Sequence, residues 1–126
     1  MSRKIISTTD APAAIGTYSQ AVQVGNTVYV SGQIPLVPAT GEVLGGHLED
    51  QIRQVFDNLQ AIARAAGGTL NSAVKYNVFL TDLDNFGCVN KVMEEYLEAP
   101  YPARAAVQVS ALPKNVEVEV DAILVI

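Results

Sequence analysis

Val116-Glu117-Val118-Glu119-Val120-Asp121-Ala122-Ile123-Leu124-Val125-Ile126 ends the chain. Its alternation marks a strand with two unlike faces, because successive side chains of a strand point to opposite sides. Val116, Val118, Val120, Ala122, Leu124 and Ile126 fall on one side, and Glu117, Glu119 and Asp121 on the other. Such a strand belongs to a sheet with one face against a core. The run over 103–111 reads as a second, more apolar strand, joined to the first through Leu112-Pro113-Lys114-Asn115. If the two pair antiparallel across that connection, Glu119 lies near Arg104 on one sheet face.

The covering layer comes from earlier in the chain. From His47 to Ala66 the apolar residues Leu48, Ile52, Val55, Phe56, Leu59, Ile62, Ala63 and Ala66 recur at helical spacing, and Gly67-Gly68 ends the helix. A strand is expected over 73–81, with Val74, Tyr76, Val78 and Leu80 on one face. Asp82 or Asp84 then caps a second helix with an inner stripe of Phe86, Val89, Met93, Tyr96 and Leu97, which Pro100 and Pro102 stop. At the front, strands over about 18–24 and 27–33 flank Gly25-Asn26, a pair suited to a tight hairpin turn. A short strand over Lys4–Ser7 precedes them, and the Pro- and Gly-rich stretch 34–46 reads as a loop. The order βββαβαββ, with two helices on one face of a sheet, is an α+β layer fold.

Nothing divides the 126 residues into parts, so residues 1–126 are read as one domain. Hydrophobic residues make up 49% and charged residues only 17%, which leaves apolar surface for subunit contacts and points to a homo-oligomer. The net charge of −5, with eight basic residues scattered along the chain, is a poor footprint for nucleic acid or an anionic membrane. One cysteine, Cys88, and one histidine, His47, can make neither an intramolecular disulfide nor a zinc cluster. No apolar run approaches a membrane span and no leader pattern is present, so a cytoplasmic location is expected.

There is no phosphate-binding glycine loop and no nucleophile elbow. His47 reads as an exposed residue at a helix start, and Cys88 as a half-buried small residue. Two features resist a purely structural account. Arg104 is the only charged residue between Glu98 and Lys114, in an apolar strand, where a guanidinium calls for a fixed anionic partner. That partner is either a carboxylate of the last strand or the carboxylate of a ligand held by the guanidinium fork. The second feature is the run Glu117, Glu119, Asp121, which is either a solvated face or, at Glu119, a carboxylate able to orient water for attack beside an anion site.

Pro102-Ala103-Arg104-Ala105-Ala106-Val107, Ala111-Leu112-Pro113 and Val118-Glu119-Val120 resemble the C-terminal signature of the Rid family, also called YjgF/UK114-like proteins. Ala11-Pro12-Ala13-Ala14-Ile15-Gly16, Tyr18-Ser19-Gln20-Ala21, Ser31-Gly32-Gln33-Ile34-Pro35, Gly41-Glu42, Asn58-Leu59 and Val78-Phe79-Leu80-Thr81-Asp82-Leu83, then Phe86 and Asn90, match in the same order. The resemblance spans essentially the whole chain. It implies a chorismate-mutase-like α+β fold, a single mixed sheet with two helices on one face, assembled as a homotrimer with a ligand cleft at each subunit interface. It also implies hydrolysis of 2-iminopropanoate and 2-iminobutanoate, which PLP-dependent serine and threonine dehydratases release, to keto acid and ammonia without a cofactor. By the same resemblance Arg104 grips the substrate carboxylate and Glu119 orients the attacking water. Tyr18, Ser31, Gly32 and Asn90 line the pocket, and backbone groups around Ala105–Val107, Ala105 and Ala106 above all, help hold the substrate.

The chain departs from the common pattern at Ala106, where many relatives carry Cys, and at Thr17, Met93 and Val120. Ala106 excludes a cysteine nucleophile there, while Thr17 and Met93 bear on pocket shape. Competing readings are a non-catalytic carboxylate-binding or protein-protecting trimer, a ribonuclease or translation inhibitor, and a chorismate mutase. The acidic balance opposes the second, and the scatter of Arg3, Arg53, Arg64 and Lys75 opposes the third.

Overall fold

The first long helix, α1 (Leu48–Ala65), buries Ile52, Val55, Phe56, Leu59, Ile62 and Ala63 along one stripe and leaves its acidic and basic residues outside. Its end is set by Gly67, whose φ of 95° suits a residue without Cβ. The Gly67 amide donates to the Arg64 carbonyl and the Gly68 amide to that of Ala63, the paired bonds of a Schellman closure. The computed structural model describes residues 2–126. Its strands are β1 (Lys4–Ile6), β2 (Ala21–Val24), β3 (Thr27–Gln33), β4 (Ala73–Leu80), β5 (Ala103–Gln108) and β6 (Val118–Val125), with helix α2 (Phe86–Tyr96) between β4 and β5.

The expected order βββαβαββ is therefore realised as one six-stranded sheet, β1-β2-β3-β6-β4-β5. All neighbours are antiparallel except β4 and β5, which run parallel. Parallel neighbours need a crossover, and α2 supplies it. Val28, Val30, Tyr76, Val78, Leu80, Val118, Val120, Ala122 and Leu124 face the helices and are buried with them in one core. In the β2–β3 turn, Gly25 takes the single positive φ, 59°, the pattern of a type II′ hairpin. Asp82 caps the turn leading into α2, its carboxylate accepting from the Asp84 amide at 2.9 Å.

Three expectations are corrected. The last two strands do not form a hairpin: β4 lies between β5 and β6, and pairs with both. Val74 does not share the face of Tyr76, because the register slips between Ala73 and Lys75, burying Ala73 and exposing Val74. Val92, absent from the expected stripe of α2, is fully buried.

Two buried amides tie loops to this frame. Gln20 donates to the carbonyls of Thr8 and Pro12 and accepts from the Thr8 amide at 2.7 Å. Asn58 of α1 donates to the Leu36 carbonyl at 3.0 Å and accepts from Gln54. Each replaces lost water contacts with bonds to otherwise unpaired backbone, so the 8–12 and 34–36 segments are held against the sheet and α1. Among the described residues no helix is long and apolar enough to cross a membrane.

Candidate functional site

Arg104 lies on edge strand β5 in register with Tyr76, which places its side chain on the helix-covered side of the sheet. There its guanidinium sits over the Phe86 ring, 4.6 Å from the centroid. Nη1 donates to Asn90 Oδ1 at 3.0 Å and contacts Met93 Sδ at 3.7 Å. Among the described residues no carboxylate forms an ion pair with Arg104, and neither Nε nor Nη2 has a hydrogen-bond partner. The structural alternative, an ion pair to the last strand, is thus not formed. The expectation of a buried charge is also corrected. An edge strand has a neighbour on one side only, and Arg104 is exposed along with most of β5. A pocket of about 400 Å³ opens beside it, lined by Asn90, Met93, Glu94, Leu97 and Tyr101.

Glu119 occupies the opposite, open side. It is in register with Phe79 of β4, which faces Val107 of β5. The sheet register slips between Val30 and Gln33 of β3, and Gly32 lies in that slip. A Cβ at Gly32 would come within 2.9 Å of Glu119 Cδ, so the missing side chain makes the room that the carboxylate fills. Partial burial raises the Glu119 pKa above the usual glutamate value, and the neighbouring Asp121 adds to the shift. Asp121 is itself engaged, accepting from Asn77 Nδ2 at 2.8 Å. The Glu119 carboxylate borders a cleft of about 680 Å³ with Tyr18, Gly32, Ile34, Pro113 and Lys114.

Tyr18, Gly32 and Glu119 therefore share one cleft, and Asn90 and Arg104 share another. Ser31, next to Gly32 in β3, lines neither cleft, and its hydroxyl donates to the Ser19 carbonyl. Ala105 pairs with Asn77 on the Glu119 side, and Ala106 pairs with Val78 on the Arg104 side. The placement of Arg104 and Glu119 on one sheet face is corrected: in one chain they lie on opposite faces, with β4 between their strands. The hairpin assumption that joined them fails because β5 is parallel to β4 and the chain must pass beyond β4 to begin β6. His47 is exposed and offers no side-chain cap to α1, and Cys88 is half-buried, as read from the sequence.

Sequence reading assigned no role to Phe86 beyond a motif position and helix stripe, and did not bring Lys114 to the Glu119 cleft. Lys114 and Asn115 hold consecutive φ values of 56° and 57°, a left-handed turn that sets Lys114 at the cleft rim. The one legible signal was Asn115, a residue type that tolerates this conformation.

Residues 8–126 match the family described as endoribonuclease L-PSP. The chain belongs to this family, the Rid (YjgF) proteins. Among its Rid relatives, the mouse 2-iminobutanoate/2-iminopropanoate deaminase is 50% identical, over 98% of this chain and 91% of the relative. Crystalline RidA from an Antarctic Psychrobacter is 57% identical, with a TM-score of 0.94 over 98% of this chain and 99% of its own. E. coli TdcF, crystallised with bound serine, is 44% identical, with a TM-score of 0.92 over 98% of each chain. At these likenesses the Rid fold, mixed sheet under two helices, holds over nearly the full length.

Proposed function

We propose that this Rid protein is a deaminase that hydrolyses 2-iminopropanoate and 2-iminobutanoate to the 2-keto acid and ammonia. The observation that carries the reading is Arg104: a guanidinium fixed by Phe86 and Asn90, with no carboxylate paired to it and an unused donor edge. Such an edge matches a substrate carboxylate held by two parallel hydrogen bonds. The name of the mouse relative supplies the substrate class. The imines are those released by PLP-dependent serine and threonine dehydratases.

The chemistry needs little more than position. A protonated imine carbon is electrophilic, so the enzyme has to hold it and deliver one water. Glu119 takes a proton as that water adds to the carbon, giving a carbinolamine. Return of the proton to nitrogen makes ammonia the leaving group. As the C–N bond breaks, Glu119 takes the carbinolamine hydroxyl proton and passes it to the departing ammonia, so that keto acid and ammonium leave and the carboxylate is restored. A carboxylate whose pKa is raised is a stronger base than an ordinary one, and it gives the proton back at a pH nearer neutrality.

Because Arg104 and Glu119 face opposite ways in one chain, a site that uses both takes them from different subunits. The open sheet face supports association: Ile5, Tyr29, Val107 and Val125 on it are each 46–56% exposed. We infer a homotrimer with the cleft between neighbours, where Tyr18, Gly32 and Ala105 lie on the Glu119 side, and Asn90 on the Arg104 side. Bound serine in TdcF favours a second reading, a carboxylate binder without turnover. An endoribonuclease reading meets the imbalance of eight basic and thirteen acidic residues, which leaves few cations to neutralise phosphates.

The test couples purified protein to a threonine or serine dehydratase and traps surviving imine with semicarbazide. Faster keto-acid formation and less trapped imine is the expected result. No acceleration by the wild-type protein rejects the deaminase and leaves the binder. At substrate well below KM, where Arg104→Ala and Glu119→Gln chains each turn over slowly, oligomers reassembled from the two regain part of the activity if the site is shared between subunits, and none if it is not.

A further inference from the structure

Within the Arg104 pocket the guanidinium has three surroundings. Its face rests on Phe86. One terminal nitrogen, Nη1, is committed to Asn90, whose amide is oriented by donating from Nδ2 to Glu94 Oε1 at 3.3 Å. Its Nε–Nη2 edge is left over. Phe86, Asn90 and Glu94 stand at successive four-residue steps along α2, so one helix face supplies the ring, the amide and the carboxylate that orients the amide.

We propose that Phe86 is a positioning residue, whose ring fixes the plane of the Arg104 guanidinium so that the Nε–Nη2 edge, and not Nη1, receives the substrate carboxylate. An arginine on an exposed edge strand otherwise samples many rotamers, and binding an anion then requires freezing them. Phe86 is partly buried against the core and cannot follow the guanidinium outward. Ring and amide together define a plane and a rotation about it, while either alone leaves one freedom open. The carboxylate then binds in the guanidinium plane, beyond the edge of the ring. This inference rests on the reading of Arg104 as the carboxylate site, but not on turnover.

The test uses pyruvate as the carboxylate probe, titrated calorimetrically into the wild-type protein and Phe86→Leu, Phe86→Tyr and Arg104→Ala variants. Phe86→Leu keeps apolar volume and loses the ring; it is expected to weaken pyruvate about fivefold, the scale of a cation–π contact. In the deaminase assay the same factor is expected in KM, with kcat unchanged. Phe86→Tyr keeps the ring and is expected to bind pyruvate as the wild-type protein does. The Arg104 Nε–H resonance, sharp and shifted by pyruvate in the wild-type protein, is expected to average towards free arginine in Phe86→Leu. Unchanged pyruvate affinity in Phe86→Leu overturns the proposal, as does a wild-type protein that binds no pyruvate. A protein that binds pyruvate with the expected variant pattern yet hydrolyses no imine upholds the positioning role and rejects the deaminase. If Phe86→Leu does not fold, Phe86→Tyr decides through pyruvate affinity and the Nε–H signal, because loss of both with the ring intact also overturns the proposal.

Discussion

The clefts around Arg104 and Glu119 fix their charged groups by opposite means. Arg104 is held by contact: a ring beneath it and an amide on one nitrogen. Glu119 is held by space: a glycine opposite leaves room for its carboxylate, and burial shifts its proton affinity. The first arrangement suits recognition, where a donor pair must wait in one orientation. The second suits proton transfer, where what matters is a base near the right pKa with a water in reach. The difference predicts that the two residues control different kinetic quantities.

The largest effect is expected at Glu119. Glu119→Gln keeps the shape and removes the base, and should lower kcat by about 10²- to 10⁴-fold with little change in KM. Arg104→Ala comes next: loss of charge-assisted hydrogen bonds is expected to raise KM about 10- to 100-fold in steady-state assays, with a fold indistinguishable by circular dichroism. If both variants lower kcat alone, recognition and proton transfer are not divided between the clefts. Gly32→Ala tests the spatial device. Its Cβ would displace the Glu119 carboxylate, costing about tenfold in kcat while pyruvate affinity at Arg104 stays unchanged.

The smallest effect is on stability. The folded-state pKa of Glu119 is raised, so the folded chain binds its proton more tightly than the unfolded chain. Stability from this group is therefore present at low pH and declines as pH rises from the usual glutamate value through the raised one. Glu119→Gln removes that decline. Thermal unfolding is expected to find the variant level with wild type near pH 4 and slightly more stable at pH 7. The gain should stay under about 0.5 kcal/mol, because the side chain remains partly in water.

Much of this was legible from local patterns. The alternation of 116–126 placed Glu119 on the face away from Val118 and Val120, and the 3.6-residue spacing of 48–66 located α1 within a residue at each end. The insertion of β4 between β5 and β6 was not legible. Strands adjacent in sequence pair about two thirds of the time, and no residue of β5 declares that its partner precedes it. The error carried over to the site, since it put Arg104 and Glu119 on one face. The slip that exposes Val74 was hidden for a similar reason: a bulge is a property of two strands in register, and neither sequence alone shows it. Arg104 was recognised as unusual, but the absence of a carboxylate partner depends on the edge position of its strand. Phe86 read as core because a ring at helical spacing looks the same whether it packs on leucine or under a guanidinium.

Strand β5 has one more consequence. Its outer edge offers unpaired backbone groups, and its residues Ala103, Ala105, Ala106 and Val107 are small and apolar. Bare strands of that kind recruit other strands and precipitate, and natural sheets deter this with a charge placed on the edge. Arg104 is the only charge β5 carries. In the proposed site the side chain that receives the substrate is also the one charge on this edge. Arg104→Lys, which keeps the charge and loses the fork, is expected to stay as soluble as the wild-type protein while losing recognition, as sedimentation and pyruvate titration would check.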